Sequence, residues 1–257
     1  MRVKKLIFLG LLLFLTFSLY SQDITEIDIG LYLLDNRITS LLYEEVVQTG
    51  DQNSLHIYQQ NNVVYVLGWS KDGKMAFLSD KAVDGRGGHD FFFTILDLVT
   101  DEQTYYKKIR WYDYDAYGEE DIIPLTFQDC INNNADEFNT ALRENGIILS
   151  PVQVKDLPAC DANGSEVTFG IREQKVLSDR FPSEMSFDVW AFKDGKKKLV
   201  ASVKDKPGDY VKLTGYIKSP YEERIALILA DAEYVYEGDE VFVNFYGCSL
   251  NYGFVEE

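Results

Sequence analysis

The stretch that decides the fold is residues 63–78, which have the sequence VVYVLGWSKDGKMAFL. Its first seven residues are mostly β-branched or aromatic, and this composition favours an extended strand. The KDGK that follows at residues 71–74 is typical of a tight turn, and MAFL at residues 75–78 is an apolar return strand. The stretch therefore predicts a β-hairpin.

The same pattern of apolar strands and polar turns continues along the chain. A buried strand is expected at residues 91–98, followed by a turn at residues 100–102 and a partner strand at residues 104–111. Further strands are expected near the C-terminus, at residues 185–193, 196–204, 210–218, 224–230 and 241–249. These features predict a mainly β protein with antiparallel, blade-like or sandwich-like sheets.

One segment, residues 127–145, has a helical period instead. The residues that fall on one helix face are Phe127, Cys130, Ile131, Asn134, Phe138, Ala141 and Leu142. Gly146 follows at the position of a C-cap glycine. We expect one amphipathic helix that packs its apolar face on a sheet.

Residues 1–21 have the organisation of a secretory signal peptide. A basic start, with Arg2, Lys4 and Lys5, precedes an apolar run over residues 6–19. At about 1.5 Å per residue this run is shorter than the roughly 30 Å hydrocarbon core of a membrane. We expect cleavage near Ser21, no membrane span in the remaining chain, and a periplasmic or secreted location.

The rest of the chain divides into three parts. Residues 22–149 form a β-rich half that also carries the helix, and residues 185–257 form a second β-rich half. Residues 150–184 are a loop-rich connection containing Pro151, Pro158 and Pro182. The sequence leaves open whether the two halves pack as one domain.

Charge limits the possible partners. The chain has 25 basic and 42 acidic residues, a formal net charge of −17. Loss of the signal peptide would leave 22 basic and 42 acidic residues, so that the mature chain would be still more acidic. Because such a protein repels a phosphate backbone, we do not expect nucleic-acid binding.

Two segments of the chain resemble each other. Residues 68–73 (GWSKDG) precede the apolar strand at 75–78, and residues 215–220 (GYIKSP) precede the one at 225–229. Both contain glycine followed by an aromatic residue, a polar turn, and an apolar strand with alanine. Either the chain contains two copies of one sheet unit, or any two β-hairpins share these features.

The first copy also resembles a known repeat. Residues 67–80 (LGWSKDGKMAFLSD) and 93–98 (FTILDL) are similar to the blade repeat of TolB-type β-propellers, with Lys71 where that repeat has proline. With the export signal and residues 215–226, this segment resembles a family of bacterial predicted secreted (periplasmic) proteins of unknown function. The resemblance implies location and architecture, and it implies no catalytic residues.

An acidic loop is a candidate calcium site. Within residues 111–121 (WYDYDAYGEED), Asp113, Asp115 and Asp121 occupy the first, third and ninth positions of an EF-hand-like loop. Tyr117 and Pro124 depart from that pattern at its fifth and twelfth positions. The alternative is a solvated acidic loop without metal. Residues 161–166 (DANGSE) are a shorter loop of similar chemistry.

The same region is rich in aromatic residues. Exposed aromatic side chains in exported β proteins form surfaces that bind proteins or carbohydrates. The alternative is that strand alternation buries many of them in the core. The candidate binding residues are Tyr105, Trp111, Tyr112, Tyr114 and Tyr117.

Catalytic chemistry finds little support in the sequence. His56 and His89 are the chain's two histidines, and the GWSKDG segment fails the G-x-S-x-G pattern of a nucleophile elbow. Cys130 and Cys160 could form a disulfide after export, or the cysteines are small buried side chains. We expect an exported, non-catalytic binding or envelope-associated protein without a cofactor. The alternatives are a calcium-stabilised structural protein and a secreted hydrolase with a carboxylate site.

Overall fold

The computed structural model describes residues 23–35, 60–61, 63–83, 88–110, 127–177, 183–208, 210–235 and 238–256. Within these ranges the chain forms three five-stranded sheets, two α-helices and two short 3-10 turns at Ile24–Glu26 and Ile29–Tyr32. The prediction of a mainly β protein with antiparallel sheets is confirmed.

The first sheet contains the hairpin at residues 63–78. Its strands lie in the order β5 (Glu102–Arg110), β4 (Gly88–Asp97), β3 (Lys74–Val83), β2 (Val63–Trp69) and β6 (Ile148–Leu149). All neighbours are antiparallel. The turn between β2 and β3 falls where the sequence predicts it, and the Ser70 N–H closes it by donating to the Lys74 carbonyl.

The other two sheets are also five-stranded, and their neighbouring strands are antiparallel except for one parallel pair at the edge of the second sheet, which joins residues 60–61 to residues 240–241. The second has the order β1 (Gln60–Asn61), β14 (Gly238–Ser249), β13 (Arg224–Val235), β12 (Tyr210–Lys218) and β7 (Val154–Lys155). The third has the order β15 (Val255–Glu256), β11 (Lys196–Pro207), β10 (Glu184–Lys193), β9 (Glu166–Leu177) and β8 (Ala159–Cys160).

The helical segment is divided into α1 (Phe127–Asn133) and α2 (Ala135–Glu144). The division lies at Asn134, whose side-chain amide donates to the Cys130 carbonyl while its backbone leaves helical geometry. The apolar face is buried, as predicted. Helix α2 ends in a Schellman motif, in which the N–H groups of Gly146 and Ile147 donate to the carbonyls of Arg143 and Leu142.

These elements stack as four layers: the helices, the first sheet, the second sheet and the third sheet. The middle position of the second sheet explains the apolar run in β13, because both faces of a buried sheet need apolar residues. Ile225 and Leu227 pack toward the third sheet, and Ala226 and Ile228 pack toward the first. All four are fully buried.

A single linker joins all three sheets. Its short strands β6, β7 and β8 follow one another between residues 148 and 160, and each pairs with the first long strand of a different sheet. Gly68 and Gly215 allow this close approach. A Cβ at Gly68 would lie 2.1 Å from the Ile148 carbonyl oxygen, and one at Gly215 would lie 2.8 Å from that of Lys155.

The two similar sequence segments occupy equivalent positions in the first and second sheets. Each glycine follows an irregularity in strand register, between Val66 and Gly68 in β2 and between Leu213 and Gly215 in β12. Each of these strands also pairs with the linker. The two segments therefore share a register irregularity at a glycine and a pairing with the linker.

The connection at residues 150–184 differs from the sequence expectation, because it contains the 12-residue strand β9. Only its first half shows a clear alternation, with Val167 buried between exposed neighbours. The second half is polar and exposed, since it runs past the end of β8. The second half of β9 therefore lacks the alternation of apolar residues by which strands are identified in a sequence.

Candidate functional site

The third sheet is the last layer, and no described element covers its outer face. On β10, Phe187, Val189 and Ala191 point inward and are buried against the second sheet. Because side chains alternate along a strand, Asp188, Trp190 and Phe192 point outward. We call this uncovered surface of β9, β10 and β11 the outer face.

An aromatic pair flanked by cations occupies the outer face. The Lys197 ammonium lies 5.6 Å from the centre of the Trp190 ring, and the Arg172 guanidinium lies 4.5 Å from that of Phe192. Lys197 comes from β11 and Arg172 from β9, so cations flank the pair on both sides. Leu199, opposite Trp190, is 45% exposed and extends the apolar surface.

Asp188 lies beside this pair and has an unusual environment. It is 9% exposed, and its Oδ1 has no hydrogen-bond partner within the described residues. Its cross-strand neighbours are Arg172 and Ser202, but the Arg172 guanidinium lies over Phe192 instead. A buried acceptor without a donor costs about 1 to 3 kcal/mol. Asp188 is therefore a buried acceptor next to the outer face for which the described protein supplies no donor to Oδ1.

The backbone shapes the outer face through two bulges on either side of Ser186. Glu173 in β9 and Asp205 in β11 both have positive φ, at 55° and 48°. The Asp205 N–H donates to the Ser186 hydroxyl at 3.0 Å and holds one bulge in place. Gly170, opposite Trp190, adds no side chain, so the surface beside the rings stays open.

The outer face is basic although the protein is acidic. Of the β11 lysines, Lys197 lies on this face beside Trp190, whereas Lys206 is directed inward to the Asp231 carboxylate and Lys198 donates to the Ser249 carbonyl. Arg172 and Lys175 in β9 and Lys204 in β11 are exposed. Local positive potential on a chain with a net charge of −17 favours an anionic ligand at this surface.

Of the aromatic residues singled out by sequence, only Tyr105 falls in the described part of the chain. Its hydroxyl donates to the Glu137 carboxylate at 2.5 Å, and its ring lies 5.3 Å from that of Phe93. Burial, and secondarily the Glu137 carboxylate, raises the pKa of Tyr105. Tyr105 thus joins the first sheet to α2. The others lie outside the described residues: Trp111, Tyr112, Tyr114 and Tyr117.

The candidate calcium ligands Asp113, Asp115 and Asp121 also lie outside the described residues. Within the described ranges, no group of three or more His, Cys, Asp or Glu is arranged to hold a metal ion. In the second acidic loop, Asp161 accepts a 2.6 Å hydrogen bond from Lys193 and two from backbone N–H groups. These hydrogen bonds hold the pKa of Asp161 below its usual range, and the one from Lys193 has the largest effect. The protein's own donors therefore occupy this carboxylate.

A cavity at the junction of α2 and the N-terminal turns contains two carboxylates, Asp23 and Asp136. Asp23 is committed to structure, because it caps Ile24–Glu26 and accepts a hydrogen bond from the Asn139 side chain. These hydrogen bonds lower the pKa of Asp23, and the bond from the Thr25 backbone N–H has the largest effect. A general acid requires the opposite shift, so this pair does not resemble a hydrolase site.

The cysteines are free thiols, and no Cys130–Cys160 bond is formed. Cys130 and Cys248 are buried, whereas Cys160 is exposed. Burial raises the pKa of Cys130 to about 11, which is unsuited to a nucleophile. His56 and the side chain of His89 lie outside the described part of the chain.

Comparisons with protein-family models, curated proteins and solved structures find no match to this chain. None of the helices within the described ranges is long and apolar enough to cross a membrane. The fold and the outer face are therefore the observations on which a function can be argued.

The outer face was not predicted from the sequence, although the strand that carries it has a recognisable pattern. Trp190 and Phe192 alternate with Val189 and Ala191, so two aromatic residues had to share one face of β10. Both faces of the strand are apolar, however, so its pattern does not distinguish the buried face from the open one.

Proposed function

We propose that this protein is an exported, non-catalytic binding protein that holds an acidic carbohydrate on the outer face of its third sheet. The observation that carries the proposal is the Trp190–Phe192 pair, flanked by Lys197 and Arg172 on an otherwise acidic protein. The alternative functions, a calcium-stabilised structural protein and a secreted hydrolase, have no comparable support among the described residues.

The chemistry of the outer face suits a sugar acid. Flat aromatic rings offer apolar surface to a sugar ring, and the nearby cations offer partners to its carboxylate. The Asp188 Oδ1 next to the rings is buried, so the aromatic pair and its two flanking cations are the groups that carry this argument.

A peptide strand fits this surface less well. The backbone of β10 is paired with β9 on one side and β11 on the other, so it cannot accept an added strand. An extended peptide on the face would bury its own backbone groups without partners.

The location follows from the signal-like residues 1–21 and from the resemblance to predicted secreted proteins. We propose a periplasmic or secreted protein that associates with the cell envelope through this carbohydrate. Fractionation of cells expressing the full chain, with the intact mass of the exported form, tests the location. A protein that stays cytoplasmic with residues 1–21 attached would contradict it.

Binding is tested by calorimetric titration of the mature chain with tetragalacturonate. The fully methyl-esterified tetramer is the matched control ligand, because it keeps the rings and loses the charge. We expect Trp190→Ala to weaken binding about 10- to 100-fold, since stacking on one aromatic ring contributes roughly 1 to 3 kcal/mol. Lys197→Met with Arg172→Met should also weaken it and reduce its salt dependence.

Tyr252→Ala is the control variant, because Tyr252 is 77% exposed and lies outside the outer face. It should bind as the unaltered chain does. Equal affinity for the acid and its ester, or an unaffected Trp190→Ala variant, would overturn the proposal.

A further inference from the structure

A separate cleft lies where the first and second sheets meet the linker. Its volume is about 280 Å³. Trp69 at the end of β2 forms one wall, Lys218 to Pro220 at the end of β12 form the other, and residues 148–155 of the linker complete it. It is therefore built on strand ends that Gly68 and Gly215 hold against the linker.

Trp69 gives this cleft an unsatisfied donor. The residue is 2% exposed, and its indole N–H has no hydrogen-bond partner within the described protein. Buried tryptophan N–H groups usually find an acceptor. A ligand acceptor in the cleft would supply one.

The charged side chains that line the cleft are both lysines, which bears on the charge of a ligand. Lys155 and Lys218 both line it, and none of its described lining residues is Asp or Glu. Lys218 is braced at 3.0 Å by Glu223, which fixes the direction of its ammonium group. Lys155 is exposed at the opposite side, in β7. Lys155 adds positive charge that no described lining residue compensates, and Lys218 keeps further N–H donors beyond the one held by Glu223, so the cleft favours an anion.

The remaining lining is mixed, with the polar residues Ser150, Gln153 and Ser219 beside four apolar ones. Ile148, Pro151, Val152 and Pro220 line the cleft beside the indole of Trp69. Ligand cavities commonly measure about 300 to 1,000 Å³, so this one suits a compact molecule.

We propose that the cleft binds a compact organic carboxylate, with an apolar body of about one ring against Trp69 and its carboxylate between Lys155 and Lys218. This site does not depend on the outer face, which lies on the other side of the second sheet. The two proposals can therefore fail separately.

Benzoate is the probe, with benzyl alcohol and acetate as matched ligands that lack the charge or the ring. The chain has three tryptophans, at positions 69, 111 and 190, so the ¹⁵N–¹H spectrum of the full mature chain contains three indole signals. Trp69→Phe assigns the signal of interest. If that variant does not fold, Trp111→Phe and Trp190→Phe assign it by elimination.

We expect benzoate to shift the Trp69 signal saturably and to bind at least 10-fold more tightly than benzyl alcohol or acetate. The double variant Lys155→Met, Lys218→Met should lose at least 10-fold in affinity. Lys71→Met, an exposed lysine in the β2–β3 turn outside the cleft, should lose none. An unmoved Trp69 signal, or equal affinity in the double variant, would overturn the proposal.

Discussion

Asp101, in the turn between β4 and β5, accepts a 2.7 Å hydrogen bond from the backbone N–H of Gly247 in β14. Gly247 has no room for a side chain, because a Cβ would lie 1.7 Å from the Leu98 carbonyl oxygen. Arg224 donates to the same carbonyl at 2.8 Å. The turn of the first sheet is thus docked on the second sheet through backbone contacts and one carboxylate.

This docking predicts a pH-dependent stability. Burial raises the pKa of Asp101 to about 6, against the lowering effects of the Gly247 N–H, Arg224 and Lys198, and Asp97 adds to the rise. Since the folded pKa exceeds the unfolded value of 3.8, the stabilising contribution is full below pH 4 and is lost as pH rises through 6. Asp101→Asn keeps an acceptor and removes the charge. At pH 7.5 the free energy of unfolding of the Asp101→Asn variant should be about 1 to 2 kcal/mol higher than that of the unaltered chain, after allowance for solvent screening.

Urea unfolding at pH 4.0 and 7.5 measures this difference, which should vanish at the lower pH. Asp194→Asn is the matched control, since Asp194 is exposed in another turn with positive φ. A less stable Asp101→Asn variant at pH 7.5 would show that the carboxylate is favourable as an anion.

The stability lost when a glycine that contacts the linker is replaced by alanine should depend on the space available for the new Cβ atom. Gly68→Ala should destabilise most, by about 3 kcal/mol, because its Cβ would overlap the linker backbone. Gly215→Ala should cost less, and Gly170→Ala should cost almost nothing, since its nearest neighbour is 3.8 Å away. Thermal unfolding of the three variants tests this order. Equal melting temperatures would mean that the linker moves without cost.

The buried ion pair between Lys206 and Asp231 should be sensitive to loss of its cation. Asp231 is fully buried on β13 and is also hydrogen-bonded by the Asn244 side chain. Burial raises its pKa despite Lys206. Lys206→Met leaves the carboxylate unpaired and should cost about 3 to 5 kcal/mol at pH 7.5. The cost should shrink as pH falls, because the acid then becomes neutral in the folded state.

Lys196→Met is the control for this pair. Lys196 and Glu256 are exposed and lie 3.9 Å apart, so their loss should change stability by less than about 0.5 kcal/mol. Guanidinium unfolding at two pH values provides the comparison. A Lys206→Met cost no larger than this control would show that the carboxylate finds another donor.

The calcium hypothesis for residues 111–121 predicts a higher melting temperature in millimolar calcium than in chelator. A ligand present at 100 times its dissociation constant adds about 2.7 kcal/mol to the stability of the folded state. If the loop binds calcium, Asp113→Ala and Asp115→Ala should each abolish the rise, while Asp194→Asn should keep it. An unchanged melting temperature would assign the loop to solvated surface.

Local sequence determined most strands and turns. Strand β12 has the predicted limits, and the helical period at residues 127–145 marks both helices. The sequence did not determine the break at Asn134, because it depends on one side chain turning back onto the Cys130 carbonyl. It also could not give the sheet order, since strands from both chain ends join the second sheet.

The sites were harder to predict than the fold. Trp69 has the burial expected of a strand tryptophan, but its lack of an acceptor depends on how the linker and the second sheet approach it. Lys155 and Lys218 are 63 positions apart and meet only because β7 pairs with β12. Such sites depend on tertiary contacts that no local pattern contains.

The position of the outermost strands has a consequence for the order in which the sheets can form during synthesis. Strand β1 begins at residue 60 but pairs with β14, which begins at residue 238, and β15 completes the third sheet at residue 255. The second and third sheets are therefore incomplete until the strands at residues 238–256 have been made. Because contacts between distant residues form slowly, we expect the newly synthesised chain to remain incompletely folded until these last strands are available.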